Sequence, residues 1–75
     1  MNTQPDLRFV ICRDNTGADD LQVRKLYRVI PDAAATESNY IRVVDDSGED
    51  YLYPADFFVA VELSDEAQHA LRLAA

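Results

Sequence analysis

Tryptophan is missing from this chain, cysteine and histidine occur once each, and glycine only twice. Each scarcity removes a class of explanation. The lone Cys12 cannot close an internal disulfide, and it leaves no paired-cysteine pattern for zinc. There is no glycine-rich phosphate loop and no nucleophile, base and acid in a recognisable spacing, so an enzyme is not expected and neither is a cofactor or metal. No apolar run approaches the roughly 20 residues that cross a bilayer. Residues 1–8, MNTQPDLR, lack the basic and then apolar sections of a secretory leader, and a soluble cytoplasmic protein is the expectation. Positive charge is scarce too. Seven Lys and Arg stand against fourteen Asp and Glu, a formal charge of −7. That excess repels phosphate backbones and anionic lipid, so neither nucleic acid nor membrane is expected as a partner.

What remains is a chain that should fold. At 48% hydrophobic residues it is too apolar for a disordered acidic tail, and 75 residues suffice for one domain with a small core. Residues 1–7 and 74–75 are expected to fray. The segment FVIC has the aromatic and β-branched character of a half-buried strand, and residues 8–13 form the first one, ended by the turn residues Asp14, Asn15, Thr16 and Gly17. An acidic, exposed loop, DNTGADD, follows. KLYRVI, residues 25–30, is the second strand, stopped by Pro31. The stretch 31–39, PDAAATESN, is too short for a stable helix of its own and is treated as the loop of a wide hairpin leading into a third strand over 40–45.

Centring that hairpin on Ala35 sets Ile30 opposite Tyr40, Arg28 opposite Arg42 and Leu26 opposite Val44. The face without arginine, carrying Tyr27, Val29, Ile41 and Val43, is then the buried one. Two facing arginines require acids on the same face or a partner. Asp46-Ser47-Gly48-Glu49 signals a tight turn before a fourth strand at 50–53. PADFF, residues 54–58, makes a 3₁₀ turn, and VAVEL at 59–63 is a fifth strand that buries Val59 and Val61. Ser64 caps a short helix over 65–73, with Asp65 and Glu66 in its first turn and Arg72 in its last.

In element order, DDLQVRKLYRVI resembles the acidic loop, diverging turn and second strand of an SH3 domain. GEDYLYPADFFVAVEL resembles the distal hairpin, the proline-containing 3₁₀ turn and the last strand. The chain is also similar to small bacterial proteins with YRVI, YIRVVD and GEDYLYPA segments, a family that brings no activity with it. The resemblance implies an all-β fold, a five-stranded antiparallel SH3-like barrel with a short C-terminal helix. It also implies a groove in which Tyr40, Tyr53, Pro54 and Phe57 form the apolar floor and Asp19 and Asp20 the charged wall. A polyproline-binding groove would need aromatics after the first strand and a tryptophan at the start of the third; Val10, Ile11 and Cys12 stand at the former place, and Tyr40 is near the latter.

The other candidates favour structure over chemistry. Cys12 inside a strand reads as a small core residue, and His69 on the terminal helix as a solvated one. Asp45, Asp46, Glu49 and Asp50 read as a charged turn, because a tight turn splays four carboxylates apart where calcium needs a longer loop. The facing of the tyrosines depends on register. A two-residue Ser47-Gly48 turn sets Val43 opposite Leu52 and turns Tyr51 and Tyr53 outward, whereas alignment on Pro54 turns Tyr53 inward. The functional expectation is a non-catalytic protein-interaction module, monomeric or weakly dimeric, that takes a protein or basic peptide. The alternative is a nucleic-acid- or ribosome-associated barrel using a patch of Arg24, Lys25, Arg28 and Arg42.

Overall fold

The computed structural model describes residues 8–74, with side chains as far as Leu71. The ends expected to fray lie outside the described residues except for the backbone of Ala74, and the Arg72 side chain lies outside them too. Five strands occur where the apolar patterning places them: β1 (Arg8–Cys12), β2 (Leu26–Ile30), β3 (Tyr40–Val44), β4 (Asp50–Pro54) and β5 (Phe58–Val61). They make one antiparallel sheet in the order β4-β3-β2-β1-β5, which is not closed, so β4 and β5 are its edges. A 3₁₀ turn (Ala55–Phe57) joins those edges, and α1 (Ala33–Glu37) and α2 (Asp65–Ala74) complete the chain. Among the described residues no helix is long and apolar enough to cross a membrane.

The short link between the edges dictates the shape of the sheet. Across a flat sheet, β4 and β5 would lie four strand spacings apart, roughly 19 Å. The four steps from Pro54 to Phe58 reach at most roughly 14 Å when extended, and a 3₁₀ turn reaches less. The sheet must therefore curl. The curl brings the Tyr53 ring on one edge edge-on to the Phe58 ring on the other, with centroids 6.3 Å apart. Inside it sit Val10, Cys12, Tyr27, Val43 and Phe58, with Val29, Ile41, Tyr53 and Phe57 packed around them.

Registers correct several sequence expectations. In the β2–β3 hairpin, Val29 pairs with Val43 and Ile30 with Arg42, a slip of two residues from a hairpin centred on Ala35. An even slip preserves the faces, so Tyr27 and Val43 are buried as expected and Val29 and Ile41 half-buried. Arg28 does not face Arg42. The slip makes room for α1, which replaces the expected loop. Asp32 caps it, accepting the Ala35 N–H (3.1 Å), and buried Ala35 anchors it, so tertiary contacts supply what so short a helix lacks. Asn39, at φ 63°, returns the chain to β3 through the left-handed region that asparagine tolerates.

In the β3–β4 hairpin Val43 faces Tyr51 and Ile41 faces Tyr53, which turns Tyr53 inward. The Asp45 N–H donates to the Glu49 carbonyl, so the loop holds three residues, Asp46 to Gly48, and Gly48 takes φ 86° where a side chain would be strained. The fifth strand begins one residue early. Phe58 belongs to it, pairs with Cys12 and enters the core, while Val59 pairs with Ile11 on the outward face and is 46% exposed. The expected burial of Val59 is thereby overturned, and Val61, on the same outward face, is only half-buried. Both faces of this segment are apolar, so alternation could not choose between them. The large Phe58 ring decides, since burying it removes more apolar surface from water than burying Val59.

The acidic loop also has an apolar anchor. Leu21, between β1 and β2, is 2% exposed, and the Asn15 side-chain N–H donates to its carbonyl (3.0 Å). Leu21→Ala should destabilise the protein by about 2–5 kcal/mol, whereas Val23→Ala, at an exposed position of the same loop, should stay within about 0.5 kcal/mol. Urea denaturation of both variants checks this. Equal effects would mean that the loop is not held by Leu21.

Candidate functional site

One end of the curled sheet is shut by a polar network. The Asp46 N–H donates to the Asp20 carbonyl (2.9 Å), fastening the acidic loop to the β3–β4 turn. The Asp46 carboxylate accepts from Lys25 Nζ, Gln22 Nε2 (2.9 Å) and the Tyr27 hydroxyl (3.1 Å), while that hydroxyl accepts the Gln22 N–H (2.7 Å). Beside it, buried Asp45 accepts from the Ser47 N–H (2.9 Å), the Ser47 hydroxyl and the Tyr53 hydroxyl (2.6 Å). Among the described residues no buried polar side-chain atom lacks a partner.

Electrostatics follow from this wiring. The Lys25 ammonium, with Gln22 and Tyr27, holds the Asp46 carboxyl below its usual range despite partial burial. Burial pushes Asp45 up, but the donors on Ser47 and Tyr53 more than offset it, so the net direction is down. Burial, with the neighbouring carboxylates, pushes the Tyr27 phenol up to about 12 and Tyr53 in the same direction. These shifts mark structural bonds.

The six residues of the expected groove are distributed between places. Tyr40 and Pro54 face each other across β3–β4, with Tyr40 43% exposed. Tyr53 points into the core and binds Asp45. Phe57 is half-buried against Phe58, and its carbonyl accepts the Arg13 N–H (2.7 Å), which ties it to the start of the acidic loop. Asp19 and Asp20 are exposed at the end of β3 away from Tyr40, a separation of roughly 17 Å along the strand. The structure thus brings Tyr40 together with Pro54 and sets the two aspartates elsewhere.

The opposite end of the curl is open. Val10, Val29, Ile41 and Ala60 line a pocket of about 520 Å³, to which Arg8, Thr36, Glu62 and Gln68 add polar groups. No sequence motif announces it, because its walls come from β1, β2, β3, β5 and both helices. The outward face adds exposed apolar groups, with Leu52 at 45% and Val59 as above.

The basic residues do not stand as a bare patch. Arg42 donates to Asp32 (Nε, 2.9 Å) and Asp50 (Nη1, 3.0 Å), and Lys25 is held by Asp46 over the Tyr27 ring. Arg24 and Arg28 are exposed. Each carboxylate of the turn has its own protein donor, Glu49 taking the Tyr51 hydroxyl (3.1 Å), and among the described residues no group of acids, histidines or cysteines is placed to hold a metal ion. Burial raises the Cys12 thiol, and its Sγ donates to the Asp14 carbonyl (3.4 Å); this is an inert thiol. His69 is exposed.

The network sets the pH range of stability. Asp45 and Asp46 are depressed in the fold, so below the unfolded carboxyl range near 4 the unfolded state binds the extra protons and stability falls as pH drops. Tyr27 and Tyr53 are raised, so stability is intact below about pH 10 and is lost above it, where the unfolded phenols ionise first. Urea midpoints across pH should trace both limbs, with Asp46→Asn flattening the acid one and Tyr53→Phe the alkaline one. Unchanged limbs would show that these bonds contribute nothing. Compared with protein-family models, curated proteins and solved structures, the chain matches none of them.

Proposed function

We propose that this protein is an SH3-like barrel, partly open, that works as a non-catalytic interaction module for a basic segment of another protein. The barrel reading is supported by the strand order, the 3₁₀ turn before β5 and the curl it forces. The functional reading is carried by one contrast. Lys25 and Asp46, near the closed end, are engaged in fastening the acidic loop to the β3–β4 turn, while Tyr40, Leu52, Val59 and the pocket walled by Val10, Val29, Ile41 and Ala60 are among the groups left open to solvent. Exposed apolar side chains on a strongly acidic body suit a partner with apolar anchors and positive charge, which the field of the whole molecule would also draw in.

The nucleic-acid alternative is less well supported. Lys25 and Arg42, two of the four bases it would use, already hold carboxylates, and the net charge of −7 repels phosphate.

Fluorescence polarisation with labelled peptides tests the reading. A lysine-flanked apolar peptide should bind at least about tenfold more tightly than the same peptide flanked by glutamate, and added salt should narrow the gap. Equal binding of the two peptides, or tighter binding to single-stranded nucleic acid than to either, would reject it.

A further inference from the structure

The two edges of the sheet differ. β4 begins at Asp50 and ends at Pro54, a charge and a proline that discourage further pairing. β5 reads FVAV and has no such guard, and both Val59 and Ala60 are exposed. Antiparallel ladders alternate between residues bonded to one neighbour and residues bonded to the other. Since the Arg13 N–H donates to the Phe57 carbonyl, Val59 and Val61 turn their backbone groups to β1, and Ala60 turns its N–H and C=O outward. Among the described residues no turn, loop or cap hydrogen bond reaches Ala60. The Ala60 side chain, opposite Val10, lines the open pocket.

We propose that β5 is a template for strand addition, on which an extended partner segment continues the sheet and sets an apolar side chain in the pocket beside Ala60. Resting on the interaction-module reading, this names the site and the form of the partner. Backbone pairing would supply affinity, and the pocket would select every second side chain, since residues of an added strand alternate between the pocket side and the outward face. Charge decides between occupants. Two copies of β5 laid antiparallel would bring Glu62 of each against the Asp56 and Phe57 region of the other, on two bodies of like charge. A segment flanked by lysine or arginine instead meets Glu62, Asp65 and Glu66, all exposed on the chain leaving β5, against Arg8 in the pocket lining; at the other end of β5 the Arg13 Nε donates to the Asp56 carbonyl (2.9 Å).

The probe is a peptide of about ten residues, alternating valine and threonine with lysines at both ends, titrated into the isotopically labelled protein. Amide shifts should centre on residues 59–63 with Val29 and Ile41. N-methylation of alternate peptide amides should weaken binding at least about tenfold. Ala60→Pro, which removes an outward N–H without breaking a bond of the β1 ladder, should do the same while leaving the circular dichroism unchanged, and Ala60→Val, which keeps that N–H, should retain binding to the unmethylated peptide. Shifts confined to Tyr40, Leu52 and Pro54, with full affinity for the methylated peptide, would overturn strand addition and keep the module. Shifts at β5 on concentrating the protein alone would assign the edge to a second copy and overturn the proposal. Failure of both this peptide and its glutamate-flanked counterpart to bind would reject the module as well.

Discussion

Three residues between β4 and β5 govern the shape of this molecule. Because they cannot span the width of a flat five-stranded sheet, the sheet has to curl, and the curl creates an inside. Tyr53 and Phe58, from opposite edges, meet there, and the small core forms around them. A chain of 75 residues has on the order of 4–11 kcal/mol of net stability, so this forced enclosure matters more than it would in a larger protein.

The two ends of the enclosure are treated differently. At one, Leu21 and the Asp45 and Asp46 network fasten the acidic loop to the β3–β4 turn, with tyrosine hydroxyls reaching from the core to carboxylates at its margin. At the other, α1 and the end of β5 leave open a pocket of mixed apolar and polar lining. Satisfying buried polar groups is demanding, and the closed end does so with side chains drawn from loops 20 or more positions apart. At the open end Asp32 caps α1 and accepts from Arg42, and Gln68 donates to the Leu63 carbonyl (3.0 Å).

Much of the fold was legible in local chemistry. Apolar alternation located all five strands, Gly48 marked its turn, and Ser64 was recognisable as a cap, its hydroxyl accepting the Ala67 N–H at 3.1 Å. Register was not legible. Ile30, Tyr40 and Val44 permit more than one pairing, and the choice rests on α1, which Asp32, Ala35 and Arg42 stabilise from different parts of the chain. The facing of β5 was hidden for a similar reason, since Phe58, Val59 and Val61 are all apolar and alternation alone does not separate them. The open pocket was illegible in principle, being assembled from six elements with no shared motif.

The ladder between β1 and β5 joins Phe9 to Val61, near opposite ends of the described chain. Local hairpins can form early, but this pairing carries a large loop-closure cost and belongs late in folding. During synthesis β1 therefore waits for residues as far as Val61 to emerge before it gains its second neighbour. Until then the outer sides of FVIC and FVAV are both unpaired apolar edges, so the nascent chain passes through its most association-prone state just before the sheet is complete.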